Sequence, residues 1–361
     1  MKQLDRYSMM IVMKYFNDIN DFYNGIIVCK KFKEIPLMFH FNPIPYNKRV
    51  DKLFPNIQTQ YVFSYFDEIK ENVEKRIAWF SYSYSNYLLN QDNFIHFNKI
   101  ILSSSTLLKN EILPEVITDL ADNCFQGTNF NSIILSSRIT SIGNSCFSSS
   151  KIISLSLPPY LRELPYRSLY NCFYLQSILL PQELIFIREQ CFTSCSRLTS
   201  VILSNWITSL ETETFSRCSS LIVISLPSKL QRIEDSCFSY CTALKDLTLP
   251  STLTHIGAFA FSHCSSLTQI KLPPLLEVIK DYSFSFCSSL SQLTFPMNLK
   301  YISPGSFSCC CSLHILNIPN SLTFIHPTAF NSCYSKILDI PFKKTKKRSR
   351  KTMNFICNAI Q

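Results

Sequence analysis

The sequence predicts a repeat solenoid, because columns of residues recur every 22 or 23 positions through residues 111–341. One column, which we call the marker, follows a short apolar run: Pro114, Ser136, Pro158, Pro181, Ser204, Pro227, Pro250, Pro273, Pro296, Pro319 and Pro341. Eleven residues after the markers stand Phe125, Phe147, Leu169, Phe192, Phe215, Phe238, Phe261, Phe284, Phe307 and Phe330. Fourteen residues after them stand, from the third unit onward, Cys172, Cys195, Cys218, Cys241, Cys264, Cys287, Cys310 and Cys333.

Each unit begins with a short strand. Leu247 and Leu249 alternate with polar residues, which is the period of a strand with one buried face. Pro250 then ends the strand, because it has no N–H for a sheet. Leu253 and Ile256 are expected to point inward along the next edge of the coil. The Phe column should fill the centre, and the Cys column should lie where the chain turns back.

Composition limits the alternatives. Of the 361 residues, 46% are hydrophobic, so a large core is available, whereas the 5 glycines are few for a parallel sheet with helical crossovers and nucleotide loops. The net charge is +10. A basic tail supplies +7 of it, through Lys343, Lys344, Lys346, Lys347, Arg348, Arg350 and Lys351. The folded part is therefore expected to carry little net charge.

The sequence indicates an intracellular protein. No apolar run reaches the roughly 18 residues that span a bilayer, and residues 1–16 mix acids and bases without the apolar stretch of a secretory signal. The 16 cysteines are therefore expected to be reduced thiols. A cytoplasmic location is predicted, with the nucleus or the inner membrane surface reached through the tail.

Residues 1–41 are predicted to form a helical N-terminal cap. Apolar residues recur at near-helical spacing on both sides of a polar break at Asn17–Asp21, and Pro36 follows the second helix. With Leu4 at the start and Val28–Phe32 at the end, this stretch resembles an F-box, although Asp5 stands where that family usually has Pro. The resemblance implies that residues 1–40 dock a Skp-type adaptor. The alternative is a cap that only shields the open end of the solenoid.

Residues 42–110 are interpreted as a linker and degenerate first coils. Asn42–Pro45 is a cluster of residues that break regular structure. Asp67–Arg76 is highly charged and could be helical, and Phe94–Leu102 has the pattern of a strand that enters the repeats.

The repeated unit resembles the BspA-like (treponemal-type) leucine-rich repeat, on ten units over residues 111–341. Ser136 and Ser204 depart from the Pro column, Leu169 from the Phe column, and Thr128 and Ser150 from the Cys column. The resemblance implies a curved right-handed solenoid with a parallel sheet on its concave side. It also implies a protein-binding scaffold rather than an enzyme.

The outward face of the sheet is the candidate binding surface. Residues one and three positions before the marker should point inward, so those two and four positions before it should point outward. The candidates are Leu179, Ile202, Val223, Asp246, Thr248, Gln269, Lys271, Gln292 and Thr294. An apolar strip beside polar residues is typical of a protein-binding surface. Scattered surface apolar residues are the alternative.

No catalytic or metal site is predicted, and no cofactor is expected. The 23-residue spacing of the Cys column is the repeat period, not a spacing of metal ligands, and buried Cys packs as a small hydrophobe. The local cluster is Cys309–Cys311, in which Cys310 should point inward. The 6 histidines form no pair at metal-binding helical spacing, and no Gly-rich phosphate loop occurs.

The tail, residues 342–361, is predicted to be disordered, because like charges repel and nothing apolar interrupts them. It could bind an import receptor, an anionic membrane or nucleic acid, of which nucleic acid is the least expected partner. Cys357 is the fifth residue from the end, whereas a prenylation box needs the fourth. If Cys357 carried a lipid, the lipid and the basic run would form a two-signal membrane anchor.

Overall fold

The computed structural model describes residues 6–28, 32–64, 66–78, 80–89, 95–104, 111–313 and 318–333. The chain forms two compact units, Met1–Leu102 and Ser103–Gln361. The predicted tail, including Cys357 and the seven basic residues from Lys343 to Lys351, lies outside the described residues.

The helices predicted for the N-terminal segment are confirmed. Helix α1 spans Arg6–Met13 and α2 spans Ile19–Val28. Asp18 starts α2, because its carboxylate accepts bonds from the N–H groups of Asn20 and Asp21 at 2.7 and 3.0 Å. This is the usual way in which an Asp satisfies the free amides of a first helical turn. A 3₁₀ helix at Ile35–Met38 and α3 at Lys48–Leu53 follow.

An aromatic cluster forms the core of the first unit. The ring centroid of Phe22 lies 5.0 Å from that of Phe54 and 6.2 Å from that of Phe39, both edge to face. Phe39 and Phe54 are 5.5 Å apart, and Met13 is fully buried in the same cluster. Residues from the first two predicted segments therefore share one core, so the boundary placed at residue 41 does not separate two packed bodies.

Short parallel strands fill the rest of the first unit. Strands β1 (Thr59–Val62), β2 (Lys75–Ala78) and β4 (Ile95–Phe97) form one sheet. Strand β3 (Tyr82–Ser83) pairs with β5 (Ile100–Leu102), and helix α4 spans Tyr84–Leu89.

The helix predicted as possible at Asp67–Arg76 is wrong: residues 67–74 are irregular with bends, and Lys75 and Arg76 belong to β2. The side chain of Gln60 explains the difference. Its amide nitrogen donates to Glu68 O at 2.7 Å, and its oxygen accepts from Lys70 N at 3.0 Å. A buried Gln from another strand therefore satisfies the backbone groups that a helix would otherwise have paired.

In the second unit, the strands before six of the markers form the first of two parallel ladders. These strands are β8 (Ser154–Ser156), β10 (Ser177–Leu179), β12 (Ser200–Ile202), β14 (Val223–Ser225), β17 (Gln269–Lys271) and β19 (Gln292–Thr294). They pair in register as β8–β10, β12–β14 and β17–β19. The parallel sheet that the repeat predicted is confirmed.

A second parallel ladder lies on the next edge of the coil, where the sequence predicted only inward-pointing residues. Its strands have two residues each. They are β6 (Asp119–Leu120), β7 (Ser141–Ile142), β9 (Glu163–Leu164), β11 (Phe186–Ile187), β13 (Ser209–Leu210), β15 (Arg232–Ile233), β16 (His255–Ile256), β18 (Val278–Ile279), β20 (Tyr301–Ile302) and β21 (Phe324–Ile325).

On the third edge the backbone is bonded without regular strands. The N–H groups of Phe259, Phe261 and His263 donate to carbonyl oxygens of the next coil at 2.9, 2.7 and 2.8 Å. Phe259 and His263 have left-handed backbone angles, with φ of 56° and 62°. The same two positions, nine and thirteen after the marker, are left-handed in nearly every coil. We call this edge the turn edge.

The Phe column is confirmed as the centre of the coils. From Phe192 to Phe330 each ring is stacked on the next, with centroids 5.1–5.5 Å apart and planes within 10°. The stack is interrupted at Leu169, which is also fully buried. Identical side chains therefore fill identical space in each coil.

We expect Phe261→Ala to lower the free energy of unfolding by about 3–5 kcal/mol, because it removes a fully buried ring and leaves a cavity. Phe259→Ala in the same coil is the control. That ring is 42% exposed, so its removal should lower the free energy of unfolding by only about 1 kcal/mol, the value of its stacking contact. Chemical denaturation of both variants measures the difference, and similar losses would contradict the central role of the Phe column.

Candidate functional site

The structure places all nine predicted sheet-face residues outward. In each complete strand of the first ladder, an exposed residue, a buried one and an exposed one follow in turn. Asp246 and Thr248 are exposed in the same way around buried Leu247. We call this surface the sheet face.

The apolar part of the sheet face is strongly exposed. The exposed fractions are 70% for Leu179, 79% for Ile202 and 57% for Val223. Leu179 and Ile202 occupy the same position in adjacent coils, and Ser200 pairs with Val223, so Val223 lies diagonally from Ile202. Adjacent strands are about 4.8 Å apart. These three side chains thus make a small continuous patch, not isolated surface residues.

The polar part of the sheet face lines a groove of about 760 Å³. Its predicted members are Asp246, Thr248, Gln269, Lys271, Gln292 and Thr294. Gln269 is paired in register with Gln292, and Lys271 with Thr294. Carboxylate, ammonium, amide and hydroxyl groups therefore converge, which offers hydrogen-bond donors and acceptors together.

Residues after the marker complete the groove, and the sequence did not single them out. Pro273, Pro274 and Met297 line it, and Met297 is 72% exposed. Asn298 donates to Pro274 O at 3.0 Å and holds this rim in place. The signal was available, since an apolar Met directly after Pro296 departs from the polar residues at most other units.

The Cys column has a structural explanation. Each thiol donates to the carbonyl oxygen of the Phe-column residue in the preceding coil. The bonds of Cys172, Cys195, Cys218, Cys241, Cys264, Cys287, Cys310 and Cys333 are 3.0–3.3 Å long. A thiol is small and apolar enough for the interior, yet it provides a weak donor for a buried acceptor.

Burial also controls the reactivity of these thiols. It raises the pKa of Cys172 to about 11 and that of Cys333 to about 12. The thiolate is the reactive form, so these groups are protonated and unreactive near neutral pH. Cys309 and Cys311, on either side of buried Cys310, are partly exposed. The inward position predicted for Cys310 is confirmed.

The part of the chain that the structure describes contains no group of three or more His, Cys, Asp or Glu residues arranged to hold a metal ion. It also contains no helix that is long and apolar enough to cross a membrane.

The family model for the BspA type leucine-rich repeat region matches residues 96–222 and 208–337. The chain belongs to this family. The matched region includes every strand of both ladders and both parts of the sheet face. BspA-type repeats are a protein-interaction scaffold, and the geometry of the sheet face agrees with that role. No match is found among curated proteins.

Solved structures of several bacterial leucine-rich repeat proteins are similar. A protein from Bacteroides ovatus is 20% identical, covering 79% of this chain and 84% of its own, with a TM-score of 0.49. TpLRR of T. pallidum is 24% identical over 59% and 82%, with a TM-score of 0.35. The pneumococcal vaccine antigen PcpA is 20% identical over 69% and 70%, with a TM-score of 0.45.

We expect brief alkylation of the native BspA-type protein near neutral pH to modify Cys309 and Cys311. The buried column should be spared, because its raised pKa values keep its thiols protonated. Mass spectrometry of peptides, with a denatured sample as control, measures the modification. Rapid native labelling of Cys264 would show that the column is accessible and would contradict this assignment.

Proposed function

We propose that this BspA-type protein is a non-catalytic scaffold that binds a protein partner through its sheet face. The observation that carries the proposal is the side-by-side arrangement of the apolar patch and the polar groove. A hydrophobic centre beside hydrogen-bonding groups is the usual composition of a protein interface. The 760 Å³ groove would receive a side chain or loop of the partner.

The backbone of the sheet supports recognition by side chains. Strands of the sheet face lie between neighbouring coils, as β10 lies between β8 and β12, so a partner strand finds no open edge there. Affinity must then come from Leu179, Ile202 and the groove residues. Large exposed apolar side chains near the centre of an interface are the ones whose truncation usually weakens binding most.

We expect the double variant Leu179→Glu, Ile202→Glu to bind its partner at least about tenfold more weakly, because buried carboxylates would replace the apolar contact. Affinity purification with quantitative mass spectrometry compares the wild type, this variant and Val278→Glu. Val278 is a 40% exposed residue of the second ladder and is the control. Equal recovery of every partner with the sheet-face variant would contradict the proposal.

A second proposal concerns the N-terminal helices: we infer that they dock an adaptor of the Skp type. The supporting observation is an excess of exposed apolar side chains on a small body. Tyr15 is 80% exposed, Ile27 79% and Leu37 48%. Exposed apolar residues on and beside short helices are typical of a surface that another protein covers. In this case the chain would act as a substrate receptor of a ubiquitin ligase, with the sheet face holding the substrate.

We expect a purified Skp-type adaptor to bind the full chain and to lose most of its affinity for Ile27→Asp, because that change places a charge in the apolar contact. Gln58→Glu, an exposed site outside α2, adds the same charge and should bind like the wild type. Calorimetry with the purified proteins measures both. No binding to the wild-type chain would leave residues 1–41 as a structural cap.

A further inference from the structure

Two rows of aromatic side chains lie on the turn edge of the coils. The first row is Phe259 and Tyr282, whose ring centroids are 5.0 Å apart. The second row is Tyr240, His263 and Phe286, with centroid separations of 4.1 and 4.4 Å. All rings within a row are nearly parallel, with planes within 14°. Both rows line one groove of about 450 Å³, which we call the aromatic groove.

Fold stability does not explain these rows. The backbone of all five residues is left-handed, with φ of 56° for Phe259, 53° for Tyr282, 60° for Tyr240, 62° for His263 and 59° for Phe286. That conformation costs about 1–2 kcal/mol for a residue other than Gly. In other coils the same positions hold Gly, Asn, Ser, Arg, Gln, Glu or Cys, so the left-handed backbone does not itself require an aromatic ring. Four of the rings also remain 40–45% exposed, so they contribute little to the core.

A hydrogen-bond relay fixes the chemistry of the groove floor. The Ser285 hydroxyl donates to Tyr282 O at 3.0 Å, so the 2.8 Å contact between the Ser262 and Ser285 hydroxyls must use the Ser262 hydrogen. The 2.9 Å contact between Ser262 and His263 Nδ1 is then a bond from an Nδ1–H group. The ring nitrogen Nε2 is left as an acceptor on a residue that lines the groove. Burial lowers the pKa of His263, which favours this neutral form.

The way the rings stack leaves few ring faces open to a ligand. Inside each row the faces cover one another. The Arg217 guanidinium covers the outer face of Tyr240 at 5.3 Å, and a Cβ atom at Gly305 would lie 2.3 Å from the Tyr282 ring. Nucleobases bind aromatic residues mainly by stacking on the ring face. The aromatic groove therefore presents mainly ring edges to a ligand.

The backbone beneath the groove excludes strand addition. The N–H groups of Phe259 and His263 are bonded to the next coil. An incoming peptide therefore finds no row of free amides to pair with, as strand addition would require. A peptide with few N–H groups of its own leaves the fewest donors unpaired at such a surface, and proline has no N–H group.

Charge beside the groove favours a basic peptide. Asp235 and Asp281 are exposed, and each directly precedes a left-handed residue of the turn edge. Glu213 lines the groove itself, together with Arg217, whose charge offsets one of the three carboxylates. Together with the acceptor nitrogen of His263, the carboxylates would receive N–H donors of arginine or lysine side chains.

We propose that the aromatic groove binds a proline-rich peptide in the polyproline II conformation that carries arginine or lysine beside its prolines. One turn of that helix is three residues and advances about 9 Å. Two coils advance about 9.6 Å, so prolines three residues apart would meet equivalent positions in alternate coils. Grooves lined by aromatic residues are a known mode of recognition for such peptides. The site is separate from the sheet face and does not depend on the function proposed for it.

The probe for the test is a fluorescein-labelled peptide of four Arg-Pro-Pro units, titrated with the full-length protein. We expect saturable binding by fluorescence anisotropy. A control peptide of four Arg-Ala-Ala units should bind at least about tenfold more weakly. The double variant Tyr282→Ala, Phe286→Ala should lose the proline peptide to a similar extent, while Ile202→Glu on the sheet face should keep it. Circular dichroism checks that each variant is folded.

Asp235→Asn combined with Asp281→Asn provides a second, milder test. These exposed changes should reduce the preference for Arg-Pro-Pro over Gln-Pro-Pro units without abolishing binding. Equal affinity for the proline and alanine peptides, no binding of the proline peptide, or wild-type affinity in the folded aromatic variant would each overturn the proposal. Loss of the peptide in Ile202→Glu alone would place it on the sheet face and would overturn the proposal too.

Discussion

Hydrogen bonding between neighbouring coils is the constraint on which the rest of this structure depends. A coil of 22 or 23 residues without a helix cannot pair its own buried backbone groups, and unpaired buried groups are strongly unfavourable. The next coil supplies the partners on three edges, through two parallel ladders and through the bonds of the turn edge. This bonding fixes the spacing between coils at about 4.8 Å. Equivalent residues must then lie directly above one another, so the Phe and Cys columns follow from backbone pairing.

The same constraint decides what the sequence could reveal. Residues that pack against an identical residue in the next coil recur as columns in the sequence. The buried Phe stack, the inward Cys310 and the alternation around Leu247 were therefore predictable. The second ladder was not, because two-residue strands such as His255–Ile256 are too short to show a period of two. Left-handed positions leave a signal only where Gly or Asn occupies them. At Phe259 or Tyr282 the sequence gives no sign of the backbone angle.

The first unit shows the limit of local reasoning more clearly. Its core joins Phe22, Phe39 and Phe54, which are separated by 15 or more residues and follow no period. The charged stretch after Asp67 looked helical because its local pattern allows a helix. A distant side chain, Gln60, pairs its backbone instead. Non-local bonds of this kind override weak local preferences, and no repeat exists there to reveal them.

The columns supply the core packing and the backbone bonding of the fold, so positions outside the columns are free to vary. Side chains of one chemical type that recur across adjacent coils outside the columns therefore carry information about binding. The sheet face changes from Leu179 and Ile202 to Asp246 and Lys271 while the Phe column continues unchanged. On the turn edge, aromatic rings occupy strained positions in only three successive coils. Three or four coils extend about 10–15 Å, which is the length of a short peptide or the tip of a loop. Regular stacking thus turns local runs of residues into surfaces of the size that a partner recognises.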